Sequence, residues 1–385
     1  MDVERKRILI LDDEDEIREN LLDFLEFKGF DVLEAGNGRE GLHQLETCEP
    51  DLIISDLMMP DMGGLEFLKK LQKQERGIPV VIMTAFGTMQ YAIEAMKSGA
   101  VDFLTKPLDL PYTLQVINRV VARSEMEKKL KEQQRQLDED LRHAALIQRC
   151  LLPDPIETKA ISLHYRFEPL IAIGGDYLTV HKYSKTKLAA ALYDVAGHGV
   201  SAALTGGMVH NQLQQLLEEG LTPPKVLDAL NQRLISRVGQ TGMFITIVLA
   251  VIDVEAGHMV VANAGHPDLI LWKKEADCVE RIASHMPPLG MTLHLLGEAN
   301  QSEVAIDSGD RVIFYSDGFI EATTPEGVML DKGGFEQILL EHRHCGQLDF
   351  IQHIFDSMQA HHQGAPDDDL TLLVVDVKER IQHEE

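Results

Sequence analysis

Carboxylates recur in this chain directly after short apolar runs. Asp12 and Asp13 follow residues 7–11, and Asp56 follows residues 52–55. Thr84 follows residues 80–83, and Lys106 closes a run over 102–105. Several carboxylates gathered in one place repel unless a cation neutralises them, so this first set implies bound Mg²⁺. With the metal and Lys106 absorbing charge, one carboxylate can attack phosphorus while Thr84 hydrogen-bonds a phosphoryl oxygen. A second set begins with Asp176 in Gly174-Gly175-Asp176-Tyr177 and Asp194 at the end of the apolar run 188–193. It continues with Asp317 after residues 311–316 and with Asp368 or Asp369 before the run 370–377. Four carboxylates at strand edges can hold two oxygen-ligated octahedral cations, Mn²⁺ or Mg²⁺. Such a pair makes a nucleophile of water and clamps phosphate for in-line attack, with no covalent protein nucleophile.

The elements that must position these groups differ between the two halves. Over residues 1–123, strand and helix alternate five times. That predicts a doubly wound α/β domain with a five-stranded parallel sheet, whose sites form at the carboxyl ends of the strands. Residues 116–152 read as one helix without internal Gly or Pro. Leu130, Leu137, Ala144 and Leu151 recur in it every seven residues, the spacing of a two-chain coiled coil; a single helix packed on its own domains is the alternative. Pro153 and Pro155 end it. After Ile161, short strands dominate and helices come later, an α+β layout of two antiparallel sheets covered by helices. The expected domains are therefore 1–123, a helical linker over 124–152, and 153–385.

Composition narrows the partners. A net charge of −26 argues against nucleic acid, whose phosphates would be repelled. Four cysteines, Cys48, Cys150, Cys278 and Cys345, lie far apart and predict a reducing compartment and no zinc site. The most apolar run, 243–252, is too short to span a bilayer, and the first residues lack a signal-peptide layout. A cytoplasmic protein without a membrane partner is the expectation.

The first 123 residues resemble a response-regulator receiver domain. Asp12 and Asp13 match its acidic pair, and Asp56 its phosphoacceptor, followed by Leu57-Met58-Met59-Pro60-Asp61-Met62-Gly63-Gly64. Thr84-Ala85 and Lys106-Pro107 complete the set. The resemblance implies phosphorylation of Asp56 by a histidine kinase, with Mg²⁺ held by Asp13, Asp56 and Met58. Phe103 stands at the family's switch position, where Tyr is frequent.

Residues 145–378 resemble the sporulation and general-stress branch of the metal-dependent type 2C serine/threonine phosphatases. The matching motifs are Ala145-x-x-Gln148-x-x-Leu151-Leu152-Pro153, the Gly-Gly-Asp-Tyr segment and Asp194-Val195-Ala196-Gly197-His198-Gly199. Asn263-Ala264-Gly265-His266-Pro267, Ser316-Asp317-Gly318 and Asp368-Asp369-Leu370-Thr371 complete them. By this resemblance Asp176 and Asp194 bridge two metals, the Val195 carbonyl adds a ligand, and Asp317 and Asp368 hold the second metal, with Asp369 as the weaker candidate there and His198 as a candidate general acid. Thr179 stands where a second Asp is common, and Ala196 where eukaryotic relatives carry a histidine. Glu321, four residues after Asp317, either reaches the metal shell through water or lies on a solvated face.

The function this predicts is a two-component response regulator, dimeric through its linker. Phosphorylation of its receiver controls a phosphatase acting on a phosphorylated anti-sigma-factor antagonist. The alternative is an adaptor that only sequesters a partner, which would have lost metal carboxylates. A diguanylate cyclase is set aside, because its Gly-Gly-Asp motif continues Glu-Phe where this chain has Tyr177-Leu178.

Overall fold

In the computed structural model, residues 5–74, 76–85, 89–197, 199–238, 242–295, 300–362 and 368–378 are described. The chain divides into two compact units, Met1–Leu137 and Asp138–Glu385. The first contains β1 (Arg7–Leu11), α1 (Asp15–Phe27), β2 (Asp31–Ala35), α2 (Gly38–Gln44), β3 (Leu52–Asp56), α3 (Gly64–Lys73), β4 (Val80–Ala85), α4 (Met89–Lys97), β5 (Asp102–Lys106) and the start of α5 (Leu110–Leu151). Its strands are all parallel, in the order β2-β1-β3-β4-β5. Leu9, Ile53 and Ile82 pack under Phe67 and Leu68 of α3 on one face. Ile8, Ile54 and Val81 pack under Leu21 of α1 and Ile117 of α5 on the other. Burial on both faces is why these strands read as continuous apolar runs rather than as alternation. The strand order reverses between β1 and β3, so a crevice opens at their carboxyl ends.

Helix α5 begins at Leu110 rather than at the expected Val116. The Asp109 carboxylate accepts the Tyr112 N–H at 3.0 Å, a side-chain cap for the first turn. Pro111 falls within that turn, where its missing N–H has no helical partner to lose. Along α5, Leu130 and Leu137 are 64% and 57% exposed. Leu151 instead packs against the core of its own unit, so the sevenfold pattern does not mark one uniform surface.

The second unit follows with β6 (Ile156–Glu157), β7 (Ile161–Glu168), β8 (Asp176–Lys182), β9 (Lys187–Val195), α6 (Val200–Glu218), α7 (Pro223–Val238), β10 (Ile245–Asp253), β11 (His258–Ala264), β12 (Leu269–Lys273), β13 (Cys278–Ile282), β14 (Ser302–Ala305), β15 (Arg311–Tyr315), α8 (Gly318–Glu321), α9 (Asp331–His342), α10 (Gln347–His362) and β16 (Leu370–Val377). One sheet has the order β14-β11-β10-β9-β8 and the other β13-β12-β15-β16-β7-β6, with antiparallel neighbours throughout. Leu178, Leu192 and Val248 of the first meet Leu163, Phe314 and Leu373 of the second in a shared core. Outside it, α6 and α7 cover the first sheet through Val209, Leu213 and Leu230. Helices α8 to α10 cover the second through Phe319, Phe335 and Phe350. The unit is a two-sheet sandwich with helices on both outer faces.

Candidate functional site

The receiver crevice gathers side chains from the ends of four strands. Asp12 is fully buried beyond β1, and Asp56 closes β3 with 7% exposure. Lys106 Nζ lies 2.8 Å from Asp12 Oδ2, 2.5 Å from Asp56 Oδ2 and 3.3 Å from Glu14 Oε1. Burial pulls the Lys106 ammonium down, but hydrogen bonds and charge from Asp12 and Asp56 outweigh it, so the net shift is upward. Burial raises the Asp12 carboxyl despite Lys106. Asp13 is exposed, yet ligand atoms of Asp12, Asp13 and Asp56 lie within 4.8 Å of one another. Three carboxylates against one ammonium leave a formal excess that a divalent cation matches, so this donor set fits Mg²⁺. The Met58 amide donates to Asp56 Oδ1 at 3.3 Å, while its side chain is exposed. Thr84 is buried in β4, and Phe103 is half-buried in β5. Gly64 is required at the start of α3: a Cβ there would stand 2.1 Å from the Asp56 carbonyl oxygen.

In the second unit, β8 and β9 pair so that Asp176 lies directly opposite Asp194. Like charges in that relationship destabilise a sheet. Asp176 is 1% exposed, and burial followed by the charges of Asp194, Asp369 and Asp317 raises its pKa well above the ordinary range. The Thr371 hydroxyl donates to Asp176 Oδ2 at 2.5 Å. Asp194 is raised by burial and then by Asp317, Asp368 and Asp369. Asp317 is pushed up to about 6 by burial, then by Asp368 and Glu321. Asp176, Asp194, Asp317 and Asp368 would formally carry four negative charges, equal to the charge of two divalent cations. A Cβ built on Gly175 would lie 2.9 Å from Asp194 Oδ1, 3.0 Å from the Val195 carbonyl oxygen and 3.3 Å from that of Gly197. Three oxygens thus converge on a space kept open by glycine, an oxygen-lined cradle suited to a hard cation.

Asp368 and Asp369 are adjacent but differently engaged. Asp368 is exposed and accepts the Asp369 amide at 2.8 Å. Asp369 is buried: Oδ1 accepts the Leu170 amide at 2.7 Å, and Oδ2 accepts those of Gly175 at 2.6 Å and Asp176 at 3.4 Å. Its carboxylate anchors the backbone that carries Asp176. Ser316 joins β15 to β16, donating to the Asp369 carbonyl at 3.1 Å and accepting the Thr371 amide at 2.9 Å. Thr179 has no part in the cluster. It projects from the opposite face of β8 and meets His210 Nδ1 of α6 at 3.0 Å. Glu321 is exposed on α8, and its amide donates to the Asp317 carbonyl. His198 lies outside the described residues. Gln148 belongs to the motif that opens the second resemblance, but the motif does not say what it holds: it is buried against Gly174.

Fold and sites together define a receiver domain followed by a phosphatase-type domain of the PP2C fold. The response regulator receiver domain family matches residues 8–118. The family of Stage II sporulation protein E, SpoIIE, matches residues 184–378, just over half of the sequence, and the chain belongs to it. The chain is similar to the chemotaxis protein CheY of Thermotoga maritima, with 34% identity over 30% of this chain and 97% of CheY. It is also similar to the regulatory protein AtoC of Escherichia coli, with 37% identity over 32% of this chain, but spans only 27% of AtoC. The PP2C domain of SiaA from Pseudomonas aeruginosa shares the fold of the second unit, with a TM-score of 0.56 and 19% identity over 63% of this chain and 97% of that domain.

Proposed function

We propose that the chain is a phosphorylation-controlled, Mn²⁺- or Mg²⁺-dependent protein serine/threonine phosphatase. The observation that carries this reading is the convergence of Asp194 Oδ1 with the Val195 and Gly197 carbonyls beside Gly175, amid the further carboxylates of Asp176, Asp317, Asp368 and Asp369. Asp176, Asp194 and the Val195 carbonyl would hold one cation, with Asp317 and Asp368 completing the shell of a second. Cations bound there supply Lewis-acid polarisation of phosphate and a more acidic water. Asp369 and Thr371 orient Asp176 without entering that shell. The substrate class in this reading is a phosphoserine or phosphothreonine on an anti-sigma-factor antagonist.

In the receiver, Asp56 accepts a phosphoryl group from a histidine kinase, with Mg²⁺ at Asp13, Asp56 and the Met58 backbone. Lys106 balances charge, Thr84 bonds the phosphoryl group, and Phe103 repacks. A second copy of the chain pairs through the exposed stretch containing Leu130 and Leu137. A cytoplasmic location goes with this reading. The test is phosphate release from a phosphorylated antagonist protein. Activity should vanish in chelator and return with Mn²⁺. Binding of that protein without turnover, at any metal concentration, would overturn the enzyme reading in favour of an adaptor.

A further inference from the structure

The loop between α9 and α10 brings together residues that belong to neither acidic site. His342 closes α9, Cys345 lies in the loop, and His353 is on the second turn of α10. One ligand atom from each lies within 4.8 Å of the others. Cys345 Sγ is 3.6 Å from His353 Nδ1, and the His342 and His353 rings sit 4.9 Å apart between centroids. The four cysteines are far apart in sequence, so no cysteine pairing pointed here; two histidines supply the missing donors.

We infer that His342, Cys345 and His353 form a zinc-binding site that clips the end of α9 to α10. The donor set is one thiolate and two imidazoles, which suits Zn²⁺ and not the hard cations preferred by carboxylate sites. Zn–S near 2.3 Å and Zn–N near 2.05 Å at a tetrahedral angle require an S···N separation of about 3.6 Å, which matches the distance between Cys345 Sγ and His353 Nδ1. The loop is held in place before any metal arrives. Buried Arg311 donates to the Cys345 carbonyl at 3.2 Å and to that of Arg343 at 3.4 Å. Its guanidinium is ion-paired with Asp376 and lies 4.5 Å from the centre of the Phe350 ring. Phe350 and Ile354 bury the inner face of α10, which fixes where His353 projects. Cys345 is half-buried, and its contact with His353 lies at the exposed surface.

The three donors leave a fourth tetrahedral position for water. On binding, the Cys345 thiol loses its proton to solvent as the Zn–S bond forms, and both imidazoles bind neutral. This place is separate from the acidic cluster: Arg311, which holds the loop, begins β15, and Asp317 follows the other end of that strand, which spans about 13 Å at the usual rise.

Cobalt substitution distinguishes this site from the oxygen-lined ones. Full-length protein, stripped with chelator and kept reduced, is titrated with Co²⁺ in excess Mg²⁺. The expected result is one equivalent giving sulfur-to-cobalt charge-transfer absorption with tetrahedral d–d bands, displaced by Zn²⁺. Carboxylate sites cannot produce the sulfur band. Cys345→Ser should abolish it. His353→Gln, at an exposed helix position, should weaken binding at least about tenfold, since loss of outer-shell partners alone has that effect. Absence of the sulfur band in the native protein would reduce the cluster to a thiol–imidazole contact and overturn the proposal. So would a band that survives in Cys345→Ser.

Discussion

The Gln148 side-chain amide holds Gly174 by two hydrogen bonds. Nε2 donates to the Gly174 carbonyl at 2.8 Å, and the Gly174 amide donates to Oε1 at 3.1 Å. Gln148 lies near the end of α5, the helix that begins in the receiver, and Gly174 is two residues from Asp176. Leaving both Gly174 groups buried and unpaired would cost about 1–3 kcal/mol each. A shift of the helix end therefore moves the loop that leads to Asp176, or breaks both bonds. Gln148→Leu is expected to reduce metal-dependent turnover by about tenfold and to raise the Mn²⁺ concentration for half-activation, while Arg142→Ala on the exposed side of α5 changes neither. Metal titration of both variants checks this.

Asp194→Ala and Asp317→Ala should each lower phosphate release by ~10²-fold or more. Thermal unfolding in chelator should move the other way, because removing one carboxylate relieves repulsion among Asp194, Asp317 and Asp368. Undiminished turnover in either variant would rule out the cluster as the working site.

Asp368→Ala and Asp369→Ala should separate function from stability. Asp369 anchors three backbone amides, and hydrogen bonds to a charged acceptor contribute about 1.5–3 kcal/mol each. Its loss should lower the urea midpoint by the equivalent of several kcal/mol. Asp368 is exposed and adds to the repulsion on Asp194 and Asp317, so its loss should not lower that midpoint and should reduce activity.

Phosphorylation of Asp56 should raise phosphatase activity. Charge added beside Lys106 and Thr84 biases the receiver between two arrangements. A coupling of ~1–3 kcal/mol carried through α5 changes turnover roughly 5–150-fold. Wild type and Asp56→Ala are compared with and without acetyl phosphate. Stimulation of both would show that Asp56 is not the switch; inhibition confined to wild type would reverse its sign.

His266 gives a pH dependence of known sign. Burial lowers its pKa from 6.5 to about 3, and Thr246 Oγ1 lies 2.9 Å from Nδ1. The folded value lies below the unfolded one, so the neutral ring stabilises the fold above pH 6.5. That contribution declines as the pH falls below 6.5 and is lost as it drops through the folded value. Between pH 7.5 and pH 5 this group should account for about 2 kcal/mol of lost stability. His266→Gln should have a flatter stability profile over that interval, measured by denaturant unfolding at each pH.

Much of this architecture was legible because its signals are local. An apolar run followed by Asp reads as a strand with a carboxylate at its end, and Asp12, Asp56, Asp194 and Asp317 were all found that way. Alternation of strand and helix in the first unit implies a parallel sheet covered on both faces, and short strands followed by helices in the second imply two antiparallel sheets covered by helices. The helical linker was visible from its lack of Gly and Pro, although its start was misplaced because the Asp109 cap lies before a Pro-containing first turn.

The sequence by itself determined the two domain types, the acidic character of both sites and the helix joining them, since side-chain period and strand-end chemistry are properties of neighbouring residues. Tertiary structure alone decided which neighbour does what. Moving one residue along a strand turns a side chain to the opposite face, and pairing partners distant in sequence set the register. For this reason Asp369 binds the backbone before Asp176, while Asp368 stays exposed beside it. Thr179 faces His210 rather than the cluster. Gln148 meets Gly174, and His342, Cys345 and His353 converge, only once α5, α9 and α10 have packed on their cores.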